Sequence, residues 1–160
     1  MKLIFKIIAI YLFSLNAIAR EEGETEITTE NGIEVFQNEK YYLLKQNVKI
    51  ESDRFFLNAD DVKVKFEESL YDINELEAKG SVYFNSEELD MEGKGEFLNI
   101  KLKIEKIKIQ GKGSELNSKD IQMFSDDLIE VNNVDGNFKI QGLNSKLINE
   151  NIIIKGQSID

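Results

Sequence analysis

The chain has no cysteine, no histidine and no proline. Without cysteine there is no disulfide, so an exported form must rest on its core alone. Without cysteine or histidine there is no thiolate or imidazole nucleophile, no imidazole base and no zinc site of the usual donors. Without proline, nothing in the sequence interrupts a strand ladder. Positive charge is also scarce: 20 Lys and Arg face 30 Asp and Glu, a net charge of −10. Such a chain is a poor partner for nucleic acid, whose affinity rests on neutralised phosphates. The apolar run from Ile7 to Leu15 is too short to cross a bilayer core, which needs about 20 apolar residues.

That run has another reading. Lys2 and Lys6 precede it, and Ala17-Ile18-Ala19 follows it as a small-x-small pattern. Residues 1–19 are therefore expected to be a secretory signal peptide, cut before Arg20, and 20–160 a single domain. Removing residues 1–19 takes away Lys2 and Lys6 and no acid, which moves the net charge from −10 to −12. Residues 20–30 are acidic and poor in large apolar side chains, and are expected to form a loose arm. Asn31-Gly32 is a turn signal.

What the chain has in quantity is period-two alternation, the mark of a half-buried strand. In residues 43–66, Leu44, Val48 and Ile50 share a face with Gln46, and Lys45, Lys49 and Glu51 take the other. Ser52-Asp53-Arg54 reads as a turn. Phe55, Leu57 and Ala59 then share a face, after which the apolar set changes parity to Val62, Val64 and Phe66. A one-residue slip turns every later side chain to the wrong side, so an extra residue is expected at Asp60-Asp61, as a β-bulge. Leu76, Ala78, Gly80, Val82 and Phe84 continue the pattern, followed by a turn at Asn85-Ser86-Glu87-Glu88. Next come Leu89, Met91, Gly93, Gly95 and Phe97, and then Leu98, Ile100, Leu102 and Ile104. Ile107 and Ile109 have shifted parity, so a turn or bulge is expected within residues 101–106. So many isoleucines with so few alanines favour strand over amphipathic helix.

A weak internal repeat runs through the chain. One element is Gln46-Asn47-Val48, Gly80-Ser81-Val82 and Gly136-Asn137-Phe138, with Gly111-Lys112-Gly113 and Gly156-Gln157-Ser158 as degenerate copies. The other is Leu57-Asn58-Ala59, Leu116-Asn117-Ser118 and Leu143-Asn144-Ser145. Each copy reads as a strand–turn–strand unit whose stacking buries a shared core. The acid pairs Asp60-Asp61, Glu67-Glu68, Glu87-Glu88 and Asp126-Asp127 read as solvated turn residues, since paired catalytic carboxylates need a cleft. Residues 120–127 lack the alternating oxygen ligands and glycine of a calcium loop. No catalytic residue, metal site or cofactor is expected.

The abundant chemistry is apolar strand face. If the strands turn one face inward, Val48, Ile50, Leu57, Val62, Val64, Leu76, Val82 and Phe84 line the interior. Periodicity leaves two readings open, a closed β core and an apolar groove that holds acyl chains.

Leu44 to Val64, read as L-x-x-N-V-x-I followed by L-N-A-D-x-V-x-V, resembles the N-terminal stretch of the OstA/LptA family. Glu92 to Gly113 is similar to that family's later unit, a Gly-led strand turning back into another that ends near Gly. Gln46 stands where the family has Gly. The resemblance extends over roughly residues 27–154 and implies an all-β, antiparallel β-jellyroll, an open, repeat-like two-sheet fold of about sixteen strands with little or no helix. It implies a non-enzymatic periplasmic protein that carries lipopolysaccharide from inner to outer membrane, its acyl chains held by the inward set named above. It further implies edge-strand pairing with LptC-like and LptD-like bridge components and head-to-tail self-association. The alternatives are a membrane-anchored LptC-like component retaining residues 3–15, and a structural β-solenoid with a dry core.

Overall fold

The computed structural model describes residues 23–160. The expected signal peptide and its cleavage point before Arg20 lie outside the described residues. Twelve strands form one antiparallel sheet: β1 (Glu26–Thr28), β2 (Ile33–Phe36), β3 (Tyr41–Glu51), β4 (Phe55–Phe66), β5 (Ile73–Ser86), β6 (Met91–Lys101), β7 (Lys106–Gln110), β8 (Ser114–Ser118), β9 (Ile121–Ser125), β10 (Leu128–Asn132), β11 (Asn137–Asn149) and β12 (Ile152–Ile159). The one helical piece among the described residues is a 3-10 turn, Leu102–Ile104. The chain is all-β, as expected. Twelve strands replace about sixteen because β3–β6 and β11 run unbroken through register shifts that divide each into halves.

Those shifts lie on one line. In β3 the residues Gln46 and Asn47 sit between Lys45, paired with Asp61, and Val48, paired with Ala59. The line continues through Gly80-Ser81 of β5, opposite the break between Asn58 and Asp61 of β4. It passes Glu96 of β6, then the breaks between β7 and β8 and between β9 and β10, and ends at residues 142–144 of β11. A meander of long strands is thus creased across its middle. One layer holds β2, β7, β10 and the matching halves of β3–β6 and β11; the other holds β1, β8, β9 and the remaining halves. Across the crease Ile109 of β7 approaches Gly93 and Gly95 of β6, where a Cβ would stand 2.8 and 2.5 Å from its side chain.

The bulge at Asp60-Asp61 is where the parity change placed it: Ala59 and Val62 are buried while both aspartates are exposed. The turn within 101–106 is the 3-10 turn with Glu105 in left-handed backbone, φ 45°. Several expectations are corrected. Gln46 does not share the buried face: it is a bulge residue with φ 66°, exposed. Leu102 and Ile104 leave the core because the turn rotates them outward. The arm at 20–30 contains β1, since Ile27 pairs with Ile50 and packs on the core. Gly136-Asn137-Phe138 is the β10–β11 hairpin and not a crease crossing. Leu143-Asn144-Ser145 is a bulge with Leu143 exposed, unlike the buried Leu57 and Leu116 of the other copies. At Gln46-Asn47, Gly80-Ser81, Gly111-Lys112-Gly113 and Gly156-Gln157-Ser158 the recurring element marks the crease, not a stacked unit. The acid pair Asp60-Asp61 stands at the crease in mid-strand and not at a turn, whereas Asp126-Asp127 is the bend that joins β9 to β10 there.

Candidate functional site: an apolar interior open at two edges

Strand register carries apolar rows across both inner faces. In the first layer one row runs Ile33, Leu44, Val62, Ala78, Leu98, Ile109, and on through Ile129 and Ile140 to Ile159. In the second layer Ile27, Ile50, Leu57, Phe84 and Gly93 lead through Leu116, Met123 and Leu147 to Ile154. The register alone does this: alternation in each strand puts one apolar side chain beside the next strand's.

All eight sequence-expected residues, Val48, Ile50, Leu57, Val62, Val64, Leu76, Val82 and Phe84, lie in this one buried cluster, none more than 6% exposed. The later half of the interior, from Leu98 and Ile100 to Ile129 and Ile140, was absent from that set although its Ile-x-Ile alternation signals it equally. Tyr42 also lies inside, stacked on Phe66 at 6.2 Å between ring centroids, and burial raises its phenol pKa.

At both free edges the apolar rows run past the cover of the fold. Ile33 and Val35 of β2 pair with buried Leu44 and Tyr42, so they face inward, yet they are 53% and 50% exposed. At the other end Ile154 and Ile152 of β12 share the inner face with buried Leu147 and are 44% and 60% exposed. No flanking strand among the described residues covers either rim. What sequence reasoning missed is that the rims are open, because that depends on which strands end the sheet.

The outer face of the first layer is polar and internally paired. Lys65 Nζ bonds Glu77 at 2.6 Å and Glu75 at 2.9 Å, and Asn99 Nδ2 donates to Glu75 Oε1. Lys103 pairs with Glu67, whose carboxyl is held below its ordinary range by that lysine and by Asn74. Among the described residues no cluster of three or more acidic side chains could hold a metal ion. The arrangement is thus an inward apolar surface, two open rims and a polar exterior.

Residues 26–136 match the family model of the LptA/(LptD N-terminal domain) LPS transport protein. No curated protein matches the chain. Among solved structures, the fold is similar to that of LptH, the LptA homologous periplasmic component of the conserved lipopolysaccharide transport device from Pseudomonas aeruginosa. That likeness has a TM-score of 0.59 at 8% identity and covers 74% of this chain and 82% of the other. With creased layers, continuous inner rows and more than half its length matched, the chain belongs to the family of LptA and LptD N-terminal domains, the LPS transport proteins.

Proposed function

We propose that this chain is a non-catalytic periplasmic carrier that holds the acyl chains of lipopolysaccharide between its two layers and passes them along a bridge from inner to outer membrane. The observation that carries the reading is the pair of open rims. A self-contained core would bring its apolar rows to a polar close at the last strands; here Ile33, Val35, Ile152 and Ile154 continue the inner face into solvent. Acyl chains need such a path across water, since every methylene moved out of it contributes about 0.8 kcal/mol. The eight residues from Val48 to Phe84 form its lining, reached from the rims by parting the layers. Export with cleavage before Arg20 supplies the periplasmic location.

The same edges suit assembly. β2 with β1 at one end and β12 at the other leave backbone donors and acceptors free, and an unpaired edge is a docking site for another strand. Free edges at opposite ends of one sheet favour head-to-tail joining of copies and pairing with LptC-like and LptD-like components.

The test is photo-crosslinking with lipopolysaccharide from a probe at Val64, on the inner face, and from probes at Lys63 and Lys65 beside it on the outer face. Crosslinks from Val64 alone are expected. Equal crosslinking from both faces would leave a structural protein with a dry core as the better reading.

A further inference from the structure

On the outer face of the second layer, one row of side chains crosses the sheet, and its lysines differ in their surroundings. Strand register aligns Lys49, Tyr83, Lys94, Phe124, Lys146 and Lys155 in that row. Lys49 pairs with Glu51 at 2.6 Å and Lys94 with Glu115 at 3.0 Å. Lys146 and Lys155 stand directly opposite each other on β11 and β12. Among the described residues neither pairs with a carboxylate, and Lys146 Nζ lies 5.4 Å from the Phe124 ring centre. The next row outward holds Glu51 and Glu92 elsewhere on the sheet, but at this end it holds Ile148 and Ile153.

Like charges directly opposite destabilise a sheet. In a chain of net charge −10, two facing lysines without an acid are a local reversal that a bound anion would relieve. They flank a surface hollow lined also by Leu143, Asn144, Ser145, Gly156 and Gln157. It lies where the β11 bulge leaves residues 142–144 without partners on β12. Leu143 is 75% exposed and Ile153 59%.

We propose that Lys146 and Lys155 bind the phosphate of a lipid headgroup within a bilayer surface, with Leu143 and Ile153 resting on the apolar region just below it. Free phosphate would satisfy the lysines and leave both apolar side chains in water; a phosphorylated lipid satisfies all four. The site lies on the face opposite the apolar interior, since Ile153 and Lys155 point outward where Ile152 and Ile154 point inward. A lipid still in its membrane can therefore occupy it while the interior is engaged, and the negative charge of the rest of the chain turns this edge toward the surface.

The experiment is flotation of the full chain with phosphatidylcholine vesicles, with and without phosphatidic acid. Binding is expected only with phosphatidic acid. The K146Q/K155Q variant should bind about thirtyfold more weakly, the contribution of two lysines at an anionic surface. K49Q/K94Q, with its circular dichroism as a fold check, should bind within about threefold of the parent, because those lysines already have acids. Equal loss in both variants would reduce the site to diffuse charge and overturn it. Binding of inorganic phosphate as tight as that of the vesicles would overturn the lipid as ligand. Unchanged vesicle binding by K146Q/K155Q, with self-association weakened in sedimentation, would assign the lysines to an interface between copies instead. Crosslinking from Val64 reports the interior separately, so either idea can fail alone.

Discussion

The carboxylate of Asp60 occupies the space that a side chain on Gly80 would need. Gly80 has φ +74°, and the nearest atoms to a Cβ built on it are Oδ2, Cγ and Cβ of Asp60. The arrangement recurs along the crease: Glu96 covers Gly111, and Asp126 covers Gly142. Asp61 and Asp126 also work as acceptors, Asp61 Oδ1 from the Gln46 N–H at 3.3 Å and Asp126 Oδ2 from Asn144 Nδ2 at 3.0 Å. An acid thus seats on the left-handed break of a neighbouring strand, which explains why Asp60 and Glu96 stand exposed in mid-strand.

Gly80→Ala should therefore destabilise twice, through backbone strain at positive φ and through collision with Asp60. The expected loss is about 1–3 kcal/mol in urea unfolding. Adding Asp60→Gly should recover the collision part and leave the strain. A Gly80→Ala protein as stable as the parent would show that the crease does not require glycine there.

Much of this was legible in the sequence, for a physical reason. Strands alternate with period two, so the slip between Ala59 and Val62 announced its bulge, and the slip between Ile104 and Ile107 announced the turn at Leu102–Ile104. Gln46-Asn47 hid its bulge because two inserted residues restore the parity that one would break. Gly136 and Gly80 look alike in sequence, yet one sits in a hairpin and the other at the crease; only pairing across strands separates them. The rims stayed hidden likewise: alternation tells that Ile154 shares a face with Ile152, and not that β12 is an edge strand among the described residues.

Acid should loosen the outer face of the first layer. Burial raises the Glu75 carboxyl, but hydrogen bonds from Asn99 and Lys65 outweigh it and hold the pKa below its ordinary value. A depressed carboxyl contributes stability above its unfolded pKa, and that stability is lost as pH falls through the lower folded value. Lys65 is raised by its hydrogen bonds to Glu77 and Glu75, so its share is present below the unfolded lysine pKa and lost as pH rises through the folded one. Lys65→Met should cost about 1 kcal/mol or less at pH 7 and flatten the decline of stability as pH falls through the carboxylate range. Urea midpoints across pH check this; an unchanged acid slope would remove the pairing as its cause.

The β12 edge should govern self-association. A lysine in an edge strand discourages strand addition because its charge must be desolvated on pairing. Ile153→Lys and Ile154→Lys fall where the parent side chains are already largely exposed, so the folded monomer should persist, with stability within about 1 kcal/mol of the parent. Sedimentation velocity over a concentration series should show assembly of the parent and a shift of at least about tenfold in concentration for the double variant, 1.4 kcal/mol of contact. If the double variant assembles as the parent does, joining runs through another surface.

The interior is best tested by one charge placed deep and one at the rim. Val64 is fully buried between Tyr42 and Leu76 on the neighbouring strands, and Val64→Asp puts a carboxylate there with no basic partner on the inner face. An unpaired buried charge costs several kcal/mol and is met by partial unfolding or protonation, so this variant should lose most of its stability and, with it, lipid transfer. That outcome alone does not separate a lipid path from a core. Ile154→Asp does. It sits at the open rim, 44% exposed, where water solvates the new charge, so the fold should keep its stability to within about 1 kcal/mol. An acyl chain crossing that rim would have to pass a carboxylate in place of a butyl group, and lipopolysaccharide crosslinking at Val64 should fall about tenfold or more, the effect of 1.4 kcal/mol. A folded Ile154→Asp protein that crosslinks and transfers lipopolysaccharide like the parent would mean that the rim is not an entrance, and that chains reach the interior elsewhere or not at all.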